Sequence, residues 1–169
     1  MEYADTIKSP AGTLTVSSDG ENITGLWIEG QKYFGLGLGS GAVEGDIPLF
    51  RDVRKWLDIY FSGREPGFAV PLMPYGSEFQ KAVWGILTEI PYGQTVTYGD
   101  IARQYSINNK GKHTSPRAVG GAVGRNPVSI LIPCHRVVGW DGSLTGYAGG
   151  VSKKLLLLRI EGARLNRAL

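Results

Sequence analysis

Apolar and polar residues alternate in short runs over the first 30 positions, in Leu14-Thr-Val-Ser and again in Ile23-Thr-Gly-Leu-Trp-Ile28. A period of two belongs to strands with one buried face, and Asp19-Gly20 between the runs is turn chemistry, so the segment predicts a β-meander. The period then changes. Phe50, Val53, Trp56, Leu57 and Tyr60 recur at helical spacing between Leu49 and Phe61, and Ser62-Gly63 ends the run. This aromatic stripe reads as core, packed against the meander. Between the two patterns, Gly35-Leu-Gly-Leu-Gly-Ser-Gly-Ala42 contains a formal G-x-G-x-x-A. A dinucleotide turn opens directly into a helix whose N-terminus meets the pyrophosphate. Here Val43-Glu-Gly-Asp-Ile-Pro48 continues as loop, so the stretch reads as a flexible connector. Pro66 to Pro74, with three prolines and a glycine, forms a linker. Residues 1–74 are therefore expected to make a small α/β unit with no acid–base constellation.

Residues 75–169 begin differently. Ser77-Glu-Phe-Gln80 fits a capping box, and Phe79, Val83, Ile86, Leu87 and Ile90 give one apolar face until Pro91-Tyr-Gly93. Thr97 followed by Asp100 predicts a second helix to about Tyr105, and Ser115-Pro116 starts a third, since Ser caps well and Pro is tolerated at the first helical position. The apolar run Val128 to Ile132 predicts a buried strand that Pro133 stops. Together these elements suggest a mainly α domain with a winged helix-turn-helix variant, although the connection Ser106 to Thr114 is longer than such turns usually are. Lys110 and Lys112 make that connection a basic loop suited to phosphate. The last helix is expected from Ser152, as cap, through Leu155 to Ile160, with Gly162 ending it.

Composition narrows the class. With 42% hydrophobic and 20% charged residues the chain is ordinary for a globular protein. The first residues lack a basic n-region and no apolar run approaches the roughly 20 residues of a membrane span, so a cytoplasmic protein with no membrane partner is expected. The net charge of +3 conceals an asymmetry. Residues 1–74 hold 6 Lys+Arg against 10 Asp+Glu, a charge of −4, whereas residues 75–169 hold 12 against 5, a charge of +7. A basic domain suits a polyanion, and counterion release would make such binding salt-sensitive.

The same basic half holds the chain's one cysteine, Cys134, in Pro133-Cys-His-Arg136. It cannot form an internal disulfide, and His135 and His113 are too few for a zinc site of the Cys-rich kind, so no metal is expected. A lone cysteine is commonly a small buried hydrophobe. Against that stand His135, a potential base, and Arg136, a fixed charge, either of which would favour the thiolate. Two further charges are misplaced for helix stability. Arg117 sits in the first turn of the third helix and Glu161 at the C-terminus of the last, each at the end its charge disfavours. Gly120, Gly121 and Gly124 cost the third helix about 1 kcal/mol each relative to Ala. Such a face either packs tightly on a neighbouring helix or lies against DNA.

Pro133-Cys-His-Arg-Val-Val138 resembles the active-site signature of the O6-alkylguanine-DNA alkyltransferases, suicide DNA-repair proteins also called methylated-DNA–protein-cysteine methyltransferases. Arg117-Ala-Val-Gly-Gly-Ala122 before it and Leu144-Thr-Gly-Tyr-Ala-Gly-Gly150 after it match in the family's order, and the similarity spans about Ser77 to Gly162. The resemblance implies a ribonuclease-H-like N-terminal domain, a monomer without cofactor, and double-stranded DNA containing O6-alkylguanine as partner and substrate. It implies Cys134 as alkyl acceptor, His135 as base acting through water, Glu161 as orienter of His135, and Tyr98 as hydrogen-bond donor to the purine. The third helix would dock in the minor groove through Ala118, Gly120, Gly121 and Arg125, with Arg117 as the finger filling the gap left by a flipped base. Asn126 would be a hinge tying that helix to the active-site segment. Tyr147, Ala148 and Gly149 would line the base pocket, with the carbonyls of Cys134 and Val137 receiving the exocyclic amine. Some relatives carry Ser where this chain has Ala148. Transfer from O4-alkylthymine would be a second activity.

The chemistry is consistent. Displacement at an alkyl carbon asks for a soft nucleophile activated by a base that a third group holds, and a stacked base must be extruded first, at a few kcal/mol. With no resolving cysteine and no cofactor motif, one turnover per molecule is expected. Two other classes use some of these residues. A sequence-specific DNA-binding regulator would use the basic helices but not Cys134 or Glu161, and a cysteine hydrolase would use the Cys and His but should turn over repeatedly.

Overall fold

The computed structural model describes residues 1–144 and 146–165. Three antiparallel strands, β1 (Tyr3–Ser9), β2 (Gly12–Ser18) and β3 (Ile23–Ile28), form the expected meander. The first hairpin closes at Gly12, whose φ of +107° suits glycine. A two-residue strand that the loop-like sequence did not announce, β4 (Val43–Glu44), pairs in parallel with β1 and completes the order β3-β2-β1-β4. Helix α1 (Pro48–Phe61) starts one residue earlier than the pattern suggested, with Pro48 in its first turn, and buries Phe50, Val53, Leu57 and Tyr60.

The free edge of β3 is covered, which removes the hazard of an open strand. Ile23 exchanges backbone hydrogen bonds with Pro71 and Met73 of the linker, and Leu26 with Pro127 and Ser129 of the second half. The two halves of the chain thus share one buried cluster, running from Leu14 and Ile23 through Tyr60 to Trp84, Val119, Ile130 and Cys134.

Helices α2 (Glu78–Leu87), α3 (Tyr98–Asn108) and α4 (Pro116–Gly124) follow. Both capping boxes are formed, at Ser77 with Gln80 and at Thr97 with Asp100, and Ser115 Oγ accepts from Ala118 N. The indole N–H of Trp84 donates to Ala122 O at 2.9 Å, fixing α2 to α4. Helix α3 runs three residues past the expected Tyr105. Its end is closed by Asn109 Nδ2 donating to Tyr105 O and by Gly111 N donating to Ser106 O, with Lys110 and Gly111 both at positive φ. What remains of the long connection is this cap and a short exposed stretch holding Lys112 and His113.

The strand expected at Val128 to Ile132 is not one. Only Val128 makes a β-bridge, to Leu26, and the chain then turns with Ile130 at φ +71°. The cause is Asn126, whose side chain takes the backbone groups a ladder would use: Oδ1 accepts from Val128 N, and Nδ2 donates to Val128 O and Ile132 O. An apolar run cannot by itself separate buried strand from buried turn. Beyond it, β5 (Val96–Thr97) and β6 (Val137–Val138) form a short parallel pair, and α5 (Val151–Ile160) closes the fold. The cap of α5 is Gly150 at φ +92°, not Ser152, which lies inside the helix.

Candidate active site

Cys134, His135 and Arg136 form a single 3-10 turn launched by Pro133, and all three are buried. Cys134 therefore opens a turn and does not end a strand. Burial dominates its chemistry by pushing the thiol up, against the lowering effects of Asn126, the Lys154 charge and Tyr147. The expectation that flanking charges favour the thiolate is thus corrected: in this closed site the resting cysteine is a thiol. The cation that opposes burial is Lys154, not Arg136.

Arg136 is committed elsewhere. Its guanidinium binds the Glu161 carboxylate at 2.7 to 3.1 Å, donates to Ile90 O at 2.7 Å, and lies over the Tyr92 ring. His135 Nε2 lies 2.9 Å from the same carboxylate. Burial raises the Glu161 carboxyl, but hydrogen bonds from His135 and Arg136 outweigh it and bring it down to about 2. Burial lowers the His135 imidazole, which is neutral, while Arg136 supplies the counter-charge to the ionised carboxylate. A carboxylate only accepts, so Nε2 carries the proton and Nδ1 holds the lone pair. Nδ1 has no hydrogen-bond partner among the described residues. The misplaced charge of Glu161 at a helix C-terminus is thereby explained by its partners.

Two side chains join this cluster without having been singled out in the sequence. Tyr60, from α1 of the sheet unit, donates from its hydroxyl to Glu161 Oε1 at 3.0 Å. Its helical spacing marked it as core, which it also is. Lys154 is 1% exposed, and Nζ donates to Val137 O at 2.5 Å. Burial lowers it to about 8. The available signal was its position three and four residues before the buried Leu157 and Leu158, on the inward face of α5.

The remaining candidates lie around Cys134 in two groups. Tyr98, at the first position of α3, packs its ring near Gly120 and its hydroxyl against Gly146, and burial followed by Cys134 raises its phenol, which stays protonated. Tyr147 faces the edge of His135 with ring centroids 6.5 Å apart, and Gly149 fits between Tyr147 and Ile28, where a Cβ would come within 2.7 Å of the Tyr147 ring. Ala148 accepts through its carbonyl from Lys32 N. Each of the two carbonyls considered for base recognition already accepts one bond, Cys134 O from Val137 N and Val137 O from Lys154.

On the outer side of α4, Arg117 and Ala118 are exposed, and Arg117 has no ion pair among the described residues. Arg125 caps α4 and stacks over Tyr33 at 5.0 Å. A Cβ at Gly120 or Gly121 would meet nothing closer than 3.7 Å, and at Gly124 nothing within 4 Å. Tight packing on a neighbouring helix therefore does not explain these glycines. They line a cleft of about 280 Å³ shared with Lys32, Tyr33, Arg125, Gly146, Tyr147 and Ala148. No group of three or more potential metal ligands occurs among the described residues.

The fold and this cluster define a two-unit protein in which a buried thiol, an imidazole and a carboxylate are assembled beside a glycine-faced, basic helix. Residues 3–74 match the ribonuclease-like domain of 6-O-methylguanine DNA methyltransferase, and residues 78–163 match its DNA binding domain. The chain is 44% identical over 154 residues to a methylated-DNA–protein-cysteine methyltransferase of Haemophilus influenzae, covering 90% of this chain and 82% of that protein. It is 42% identical to one of Methanosarcina acetivorans, covering 96% and 99%. A crystal structure of the Mycobacterium tuberculosis protein in complex with DNA superposes with a TM-score of 0.83 at 39% identity, covering 95% of this chain and 92% of that one. The chain belongs to the 6-O-methylguanine DNA methyltransferase family.

Proposed function

We propose that this protein repairs DNA by moving the alkyl group of O6-alkylguanine onto Cys134, once per molecule. The observation that carries the reading is the buried chain Glu161–His135 beside a lone thiol, which leaves Nδ1 of His135 as the basic atom. His135 takes the thiol proton through a water. The sulfur attacks the alkyl carbon, the carbon–O6 bond breaks, and its electron pair stays on the purine, where the protonated Tyr98 hydroxyl donates a hydrogen bond. The purine anion then takes up one proton at N1, which balances the proton removed from the thiol, and the products are a thioether and an unmodified guanine. A DNA-binding regulator would have no use for this cluster.

DNA is met by α4, whose open glycine face admits close backbone approach while Arg117, Ala118 and Arg125 stand exposed along it. Arg117 fills the gap left by the extruded nucleotide, and the base enters between Tyr98 and the 146–149 loop. Asn126 holds the end of α4 to the segment before Cys134. Val137 takes part in reading the base through its carbonyl. The division of labour falls at residue 74, with residues 75–169 carrying DNA binding and transfer. The protein acts as a cytoplasmic monomer, needs no cofactor, and accepts O4-alkylthymine as a second substrate. Among the described residues no helix is long and apolar enough to cross a membrane.

The test is Cys134→Ala. It should bind a duplex containing O6-methylguanine as tightly as the wild type and leave the lesion in place. A variant that still clears the lesion would refute the assignment of Cys134.

A further inference from the structure

The sheet unit touches the active site at a point that its own core packing does not require. Tyr60 is fully buried within the aromatic stack of α1, against Trp56 at 5.3 Å and Phe61 at 5.3 Å. Those contacts would be equally well made by phenylalanine. The hydroxyl instead crosses to the other half of the chain, donating to Glu161 Oε1 at 3.0 Å and lying 3.4 Å from His135 Nε2, with the two rings edge to face at 6.4 Å. A buried carboxylate needs its lone pairs satisfied. Here Arg136 takes both oxygens and Tyr60 and His135 share Oε1, so the orientation of the imidazole depends on a residue of α1.

We propose that Tyr60 is a positioning residue for alkyl transfer: its hydroxyl fixes Glu161, which fixes the His135 ring, and this is one function of the N-terminal unit in catalysis. The inference rests on the reading of Cys134, His135 and Glu161 given above. A second contact points the same way. The edge of β3 binds Pro127 and Ser129 on the approach to Cys134, so the sheet unit braces the nucleophile's segment from one side and the base from the other.

Tyr60→Phe removes the hydroxyl and keeps the ring. Glu161, with one donor fewer, becomes a stronger acceptor and holds the protonated imidazole more firmly. The other groups that act on His135 are unchanged: Arg136, Lys154 and Tyr147. The expected result is a loss of about tenfold in the rate of Cys134 alkylation by the free base O6-benzylguanine, the size expected for one hydrogen bond to a charged group. The acidic limb of the rate–pH profile should move to higher pH. Because the chain has two histidines and His113 is exposed, nitrogen NMR of the imidazoles reads His135 directly, and its titration should shift in the same direction. A ring-fluorinated tyrosine at position 60, a stronger donor of the same shape, should move both in the opposite direction and serves where the phenylalanine variant does not fold. Trp56→Leu, which removes packing from the same helix but no donor to Glu161, should lower thermal stability and leave the His135 titration in place. Unchanged His135 signals and rate in Tyr60→Phe, or an equal shift in Trp56→Leu, would show that Tyr60 is core alone. If the wild type itself takes no alkyl group, the transfer reading fails, while the His135 titration still decides the Tyr60 link.

Discussion

His135 Nε2 lies 2.9 Å from Glu161 Oε1, although the two residues stand 26 positions apart and arrive from a 3-10 turn and a helix C-terminus. The pair is buried, and Arg136 completes it from the same turn. A neutral imidazole, an ionised carboxylate and a guanidinium together satisfy one another's charge and leave a single basic nitrogen.

Glu161 ties this cluster to acid stability. Its carboxyl titrates at about 2 when folded against an ordinary 4.5, so the folded state binds the proton less readily than the unfolded one. The resulting stabilisation, about 3 kcal/mol for such a shift, is fully present above pH 4.5 and is lost as pH falls towards 2. Glu161→Gln should remove it and leave Arg136 buried without a counter-charge, a loss of about 3 to 5 kcal/mol near neutral pH. Denaturant unfolding at neutral and acid pH checks both, and the wild-type and variant curves should converge as the pH drops.

Lys154 is the cation that acts on the thiol. Below about pH 8, where Lys154 carries its charge, Lys154→Met should leave the thiol ionised less often, because burial then acts with less opposing charge. The rate of Cys134 modification by iodoacetamide at about pH 7, followed by intact mass, should be lower than in the wild type, and the difference should shrink above about pH 8.

The sequence carried the site further than it carried the backbone beneath it. Cys134 and His135 drew notice as a lone thiol beside a base and Glu161 as a charge at the wrong helix end, but the pairing of Glu161 with His135 was implied only by the resemblance to the family. The turn at Val128 to Ile132 was not legible, since its apolar residues are those of a strand and the bonds that unmake the strand come from the Asn126 side chain. Arg136 could be seen as charged but not as spent on Glu161. Tyr60 was hidden because a helical spacing shows that a ring is buried and says nothing of where its hydroxyl points.

The role proposed for Arg117 predicts that extrusion and chemistry can be separated. Arg117 is exposed and unpaired among the described residues, at a helix end that gains nothing from a cation. Arg117→Ala should leave the fold intact and slow repair of duplex DNA much more than reaction with O6-benzylguanine, which requires no extrusion. Single-turnover rates on the two substrates check this, and equal losses on both would assign Arg117 to the fold or the thiolate. Binding of the wild type to undamaged duplex should show little sequence preference and weaken steeply with salt.

Intact-mass spectrometry with excess duplex containing O6-methylguanine, followed by peptide mapping, tests the central claim most directly. The account predicts that each molecule gains one methyl in place of one hydrogen, that the gain stops at one per chain, and that it lies on Cys134. Continued removal of methyl groups beyond one per chain, or a methyl on any other residue, would contradict it.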